Sequence, residues 1–156
     1  MKHLSYRNGP PDATDRLILS CLAENARQSN AAIARRIGLS APSVAERIRR
    51  LEESGVITGY AARIAPEAMG YPIAAMLRIR PVPGELRTVA DIICETPEIT
   101  ACDRVTGDDC FVARVCVRSV AHLEEVIDPL IPHAMTNTAV IQSSPVPGRL
   151  PPRSGP

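Results

Sequence analysis

The stretch from Ser29 to Gly55, S-N-A-A-I-A-R-R-I-G-L-S-A-P-S-V-A-E-R-I-R-R-L-E-E-S-G, constrains the chain more than any other. It predicts two short helices joined by a glycine turn. Ser29 precedes a periodic run and can accept an orphan backbone N–H as a cap. Ile33 and Ile37 fall one turn apart on a face to be buried. Gly38 suits the left-handed conformation that ends a helix, which is costly for any residue with a Cβ. Ser40 restarts the chain as a second cap, and Pro42 falls in the first turn, where a missing N–H costs little. Val44, Ile48 and Leu51 recur at helical spacing as an inward stripe, leaving Ser43, Glu46, Arg47, Arg49 and Arg50 on the other faces. This is the layout of a helix-turn-helix whose second helix can enter a DNA major groove.

The flanking residues extend this unit. Asp12-Ala-Thr-Asp15 opens another helix, with Asp12 as its cap and Asp15 in the first turn at the positive end of the dipole. Its apolar face, Leu17, Ile18, Cys21 and Leu22, needs the next two helices as cover. After Gly55, V-I-T-G-Y-A-A-R-I alternates about Gly59 and predicts two short strands or one bent ribbon. Such a wing either covers the end of the helices or lets Arg63 reach a phosphate. The expected DNA-binding domain is 12–64, followed by a linker with a helical turn over 65–70.

From Tyr71 the periodicity changes. Strands are predicted over 73–80, 99–105, 110–117 and 136–143, and helices over 85–94 and 120–130. Thr106-Gly107-Asp108-Asp109 reads as the turn of a hairpin, with Asp-Asp supplying the turn chemistry. The order β-α-β-β-α-β over 71–145 is the split βαβ, ferredoxin-like arrangement, giving an α+β chain overall. Helices cover only one face of such a sheet. Ala74, Met76, Val112, Ala113 and Val140 are poorly suited to meet water on the other, which predicts a homodimer through this half and higher assembly beyond it. Residues 1–11 and the proline-rich 146–156 are expected to be flexible tails.

Charge separates the two halves. Residues 1–64 carry ten Lys/Arg and six Asp/Glu, a net of +4, whereas 65–156 carry eight and eleven, a net of −3. The first half suits phosphates and the second does not. The five cysteines, Cys21, Cys94, Cys102, Cys110 and Cys116, include no C-x-x-C pair and mostly sit in apolar runs. They read as free, buried thiols of a reducing compartment, with a redox or metal site as the sharper alternative. No apolar run approaches the roughly 20 residues of a membrane span, and the N-terminus lacks a signal-peptide pattern. A cytoplasmic location is expected.

The candidate DNA-binding residues are Arg35 and Arg36 on the first helix of the pair, Ser40, Ser43, Arg47, Arg49 and Arg50 on the second, and Arg63 beyond it. Arginine's forked donors match phosphate oxygens or the guanine edge, and serines near a helix start can reach either. The alternative is a solvated basic face in which Glu46 and Glu52 pair with neighbouring arginines.

Three segments together resemble the Lrp/AsnC transcriptional regulators: D-A-T-D-R-L-I-L, I-A-R-R-I-G-L-S-A-P-S-V-A-E-R-I-R-R-L-E-E-S-G-V-I-T-G-Y and V-T-G-D-D-C-F-V-A-R-V. The resemblance covers residues 12–145 with both halves in order. It implies an N-terminal winged helix-turn-helix and a C-terminal βαββαβ, RAM-type domain that dimerises and binds small effectors, commonly amino acids. Octamers with effector sites between dimers are a further implication. Effector contacts are implied at Gly107, Asp108 and Cys110, at Val120, and at Ala139, Val140 and Ile141. Where several members carry a second acidic residue this chain has Cys110, with Asp109 one place earlier. The chemistry of the turn agrees with that role: N–H groups of Thr106 to Asp109 can hold a carboxylate while an aspartate meets an ammonium.

The expected function is therefore a sequence-specific DNA-binding regulator of double-stranded DNA, modulated by an amino acid or related metabolite. The alternative is an architectural DNA organiser of the same fold without a physiological effector. With no nucleophile–base pair, phosphate-cradling loop or metal cluster in the sequence, neither an enzyme nor a bound cofactor or metal is expected.

Overall fold

Three caps and one glycine turn set the first part of the fold. The computed structural model describes residues 10–146, with Gly148 and Pro151. They divide into two compact units, the first ending at Ala62 and also taking in the described residues after Pro145, the second running from Arg63 to Pro145. Apart from Pro10, Pro11, Val146, Gly148 and Pro151, the two expected tails lie outside the described residues.

The first unit contains α1 (Ala13–Glu24), α2 (Asn30–Ile37) and α3 (Ala41–Glu53). A reciprocal capping box starts α1: the Asp12 carboxylate accepts from Asp15 N at 2.7 Å, and the Asp15 carboxylate accepts from Asp12 N at 3.1 Å. Ser29 caps α2 by accepting from Ala32 N, Gly38 ends it at φ 74°, and Ser40 caps α3 by accepting from Ser43 N. Ile18, Cys21, Ile33, Ala34 and Val44 form the shared core, flanked by Ile37 and Ile48. Full burial of side chains such as Ile18 and Ile33 contributes about 1.5–3 kcal/mol each, which holds together helices too short to persist alone.

The wing does not form as strands. Residues 58–65 carry no regular secondary structure, although they alternate about Gly59. A lone two-stranded ribbon is marginal without a packed face, and Tyr60 and Ile64 are exposed rather than packed. The segment is tied locally instead: Ile57 N donates to Leu51 O at 3.0 Å, and Tyr60 Oη donates to Glu52 Oε1 at 2.7 Å.

The second unit opens with a 3-10 turn at Pro66–Met69 and continues as β1 (Ile73–Pro81), α4 (Leu86–Glu95), β2 (Ile99–Arg104), β3 (Phe111–Val117), α5 (Val120–Ile127) and β4 (Ala134–Val140). The sheet order is β2-β3-β1-β4, with all neighbours antiparallel. After Ile127 the chain tightens into a second 3-10 turn, Asp128–Leu130, where Pro129 withholds an N–H from the helix. The last strand begins and ends earlier than the 136–143 expected. Most of β4 is exposed, so no apolar alternation marks its limits.

One face of the sheet packs on the helices. Leu77, Ile79, Phe111 and Ala113 meet Val89 and Ile93 of α4, while Ala75, Val115 and Val117 meet Leu123 and Val126 of α5. Ala113 therefore belongs to the core, and Val140, two residues from Thr138 and paired with Ala75, shares that side rather than the open one. The open face carries Ala74, Met76 and Val112, as expected, but also Arg78, Arg80 and Arg114. It is mixed in character rather than purely apolar. Of the cysteines, only Cys21 and Cys116 are buried; Cys94 is exposed, and Cys102 and Cys110 are half-buried.

Candidate nucleic-acid interface and ligand turn

The outward stripe of α3 begins at Pro42 and Ser43 and continues through Glu46, Arg49 and Glu53, all exposed. It is available because Val44, Ile48 and Leu51 take the opposite side into the core. Ser40 and Ser43 lie together at its start, their hydroxyls 2.8 Å apart. Arg49 bridges two carboxylates on its own helix, donating through Nε to Glu46 at 3.0 Å and through Nη1 to Glu53. Arg49 holds the Glu46 carboxyl below its ordinary range. Pairs this exposed are worth little and are readily exchanged for a phosphate.

Arg47 is different. Its Nη1 donates to Asp12 Oδ2 at 2.8 Å and to Asp15 Oδ1 at 2.7 Å, so the guanidinium points back at the start of α1. Arg50 leans the same way, with Nη2 3.9 Å from Asp15 and a buried Nε that has no hydrogen-bond partner among the described residues. The Asp12 carboxyl is held below its ordinary pKa first by the Asp15 N–H and then by Arg47. Two of the three arginines expected on the outer surface of α3 thus face the neighbouring helix. The sequence reading missed Asp12 and Asp15 as their partners. No local signal marked the pairing, since the capping box at the start of α1 already accounts for both carboxylates.

On α2, Arg36 forms a forked pair with Glu24 of α1, while Arg35 is exposed with no ion-pair partner among the described residues. Arg63 is exposed and is the first residue of the second unit.

The residues expected around an effector form two groups. Thr106, Gly107, Asp108, Asp109 and Cys110 lie together in the β2–β3 connection, which Val105 N closes by donating to Cys110 O at 2.9 Å. Gly107 takes the positive φ, 111°, and neither aspartate does. The N–H groups of Thr106 to Asp109 donate to no backbone acceptor among the described residues. The aspartates turn to the open face, where Asp108 stands 3.5 Å from Arg80 and Asp109 3.9 Å from Arg78. Ala139 and Val140 instead pair with Met76 and Ala75, level with Arg114 and Val115, and Ile141 N donates to Ala74 O. Val120 is an exposed residue beyond the far end of β3. The turn and Val120 thus lie at opposite ends of β3.

Residues 11–58 match the winged helix-turn-helix DNA-binding family, and residues 74–151 match the Lrp/AsnC ligand binding domain. An uncharacterised HTH-type transcriptional regulator of Bacillus subtilis, YezC, is 37% identical over 133 residues, covering 85% of this chain and 94% of that protein. The solved structure of B. subtilis LrpC superposes with a TM-score of 0.84 at 28% identity, covering 90% of this chain and all of that one. The feast or famine regulatory protein of Mycobacterium tuberculosis, solved in complex with L-methionine, gives a TM-score of 0.83 at 31% identity over 90% of this chain and 98% of that one. Among the described residues no helix is long and apolar enough to cross a membrane. A helical unit with a polar outward stripe, followed by this four-stranded sheet, makes the chain a member of the Lrp/AsnC family, a DNA-binding transcriptional regulator and not an enzyme.

Proposed function

We propose that the chain binds double-stranded DNA in a sequence-specific manner and that an amino acid or related small metabolite tunes this binding through assembly. The observation that carries the reading is the outward stripe of α3, which starts at the paired hydroxyls of Ser40 and Ser43 and offers Glu46 and Arg49 one turn further on. A recognition helix presents its N-terminal residues to base edges. Ser43 and Arg49 enter the major groove, while Ser40, Arg35, Arg36, Arg50 and Arg63 serve the phosphates. Arg47 acts as a brace that sets the pitch of α3 against α1.

The chain works as a homodimer through the open sheet face, and dimers assemble further, to octamers. Ala74, Met76 and Val112 supply the apolar part of that contact, and the arginines and aspartates around them give it register. The ligand site is composite. The Thr106–Cys110 turn of one copy meets Val120 and Ala139–Ile141 of another, which accounts for their separation within one chain. The unbonded N–H groups at Gly107 hold the ligand's carboxylate, and an aspartate holds its ammonium once released from Arg78 or Arg80. The methionine complex of the M. tuberculosis relative supports an amino acid as the ligand class. Because a ligand shifts only an equilibrium whose states it binds unequally, the effector must favour one assembly over another.

Selection of bound fragments from a random DNA pool, repeated with each of the twenty amino acids, tests both parts. Enrichment of one motif, with affinity altered by a subset of amino acids, is expected. An unstructured pool would remove the sequence-specific reading. A motif indifferent to every amino acid would remove the effector.

A further inference from the structure

The second unit contains a cavity of about 290 Å³ that the effector reading does not use. One wall is the segment leading into β1, through Ile64, Met69 and Tyr71; the other is the start of β2 and the end of β3, through Glu98, Thr100 and Cys116. It lies at the Val117 end of the sheet, away from the Gly107 turn, which precedes Phe111 at the other end. Its size is at the lower limit of small-molecule sites, which are mostly apolar with a few fixed polar groups.

Glu98 is the one charged residue in that lining, and its side chain is 18% exposed. It is held from behind. His122, 7% exposed on α5, accepts from Arg118 N through Nδ1 at 3.2 Å. Its Nε2 stands 3.3 Å from Glu98 Oε1 and 3.4 Å from Arg118 Nη2. The Ser119 hydroxyl fixes His122 further by accepting its backbone N–H at 3.1 Å, and the Tyr71 ring lies 6.4 Å from the imidazole. Beyond His122, the Glu98 side chain has no ion-pair partner among the described residues, and it lies in the wall of a largely apolar space.

We propose that this cavity binds a primary alkyl- or arylalkyl-amine, with its ammonium on Glu98 and its carbon body against Ile64, Met69 and Tyr71. Charge selects the class. The lining contains one carboxylate and no cation, so an amine is complementary, whereas a zwitterionic amino acid would bring its own carboxylate into an unpartnered position. Within one chain the site is separate from the Gly107 turn, at the other end of β3.

The test is thermal denaturation and calorimetric titration of the full chain with isoamylamine and phenethylamine, with isoamyl alcohol as the comparison. A saturable upward shift of the melting temperature is expected with the amines and not with the alcohol, since a ligand that binds only the folded state stabilises it by mass action. Glu98→Gln should weaken amine binding roughly tenfold to a hundredfold, the usual worth of a hydrogen bond to a charged group. Met69→Arg provides a second check at an exposed rim residue that the fold does not need: its tethered cation should occupy Glu98 and abolish amine binding in a chain that melts normally. Asp108→Ala should leave amine binding unchanged, which separates this site from the turn. Amine binding of equal strength in Glu98→Gln, an equal response to the alcohol, or no saturable response at all would overturn the proposal.

Discussion

Arg47 Nη1 lies 2.7 Å from Asp15 Oδ1 across 32 residues of sequence, and the Asp15 side chain is only 4% exposed. The contact joins the start of α1 to the middle of α3, so the orientation of α3 depends on a carboxylate of another helix. Asp15→Ala removes the acceptor of the Asp12 N–H and one of the two carboxylates on Arg47, and is expected to destabilise the chain by about 1–3 kcal/mol. Glu53→Ala, which removes only an exposed partner of Arg49, should change stability by less than about 0.5 kcal/mol. Urea denaturation of the two variants checks the difference.

The same corner sets an acid limit. The Asp15 N–H, and after it Arg47, hold the Asp12 carboxyl below its ordinary value of 3.8. A depressed carboxyl contributes fully above its unfolded pKa, and the contribution disappears as pH falls below that value through the lower folded pKa. Melting temperature should thus fall more steeply below about pH 4 in the native chain than in Asp12→Asn, whose amide keeps the cap but cannot titrate. Identical profiles for the two chains would show that Asp12 makes no titrating contribution.

These contacts mark where the sequence was legible. Ser29, Gly38, Ser40 and Pro42 act within one helical turn of themselves, so α2, the turn and α3 follow from local rules. Arg47 could not be assigned in that way, because its helical position is compatible with either solvent or a neighbour and its partners lie on another helix. Strand order followed from alternation, yet the facing of Ala113 and Val140 depended on a register that alternation alone leaves free by one residue. The alternation around Gly59 showed the same weakness from the other side, since a strand pattern forms a strand only where something pairs with it. The Glu98 cavity was not legible at all, being assembled from segments 34 residues apart at Ile64 and Glu98 with Cys116 closing it.

On the reading of α3 as the recognition helix, Glu46 and Glu53 restrain Arg49 until a phosphate or base replaces them. Glu46→Gln with Glu53→Gln removes two negative charges from the outward stripe and frees one arginine. On non-specific DNA, where Arg49 has no cognate base to read, the freed guanidinium turns to a phosphate, so binding should tighten and the slope of log affinity against log salt should steepen by about 0.9. Gel-shift titration at several salt concentrations provides the measurement; an unchanged slope would place Arg49 away from the backbone.

Met76 lies on the open face between the Arg114 and Ala139 positions of the neighbouring strands. A charge there opposes face-to-face association without entering the helix-covered core. On the reading of this face as the dimer contact, Met76→Asp is expected to sediment as a monomer while keeping the native far-ultraviolet dichroism, since its own sheet is held from the other side. Retained dimers in sedimentation velocity would move the association surface elsewhere.

Gly38 tests the turn itself. Its φ of 74° lies in the left-handed region, and an added Cβ would meet no heavy atom within 4 Å. Any penalty must therefore come from the backbone rather than from crowding by neighbours. Gly38→Ala should cost about 1 kcal/mol, the left-handed penalty net of the smaller entropy that alanine leaves in the unfolded chain. Gly38→Asn should cost less, because asparagine tolerates this conformation better than other residues with a Cβ. If crowding were the cause, the larger asparagine would be the worse substitution. The order of the two melting temperatures thus decides between backbone strain and steric conflict, and backbone strain requires Asn above Ala.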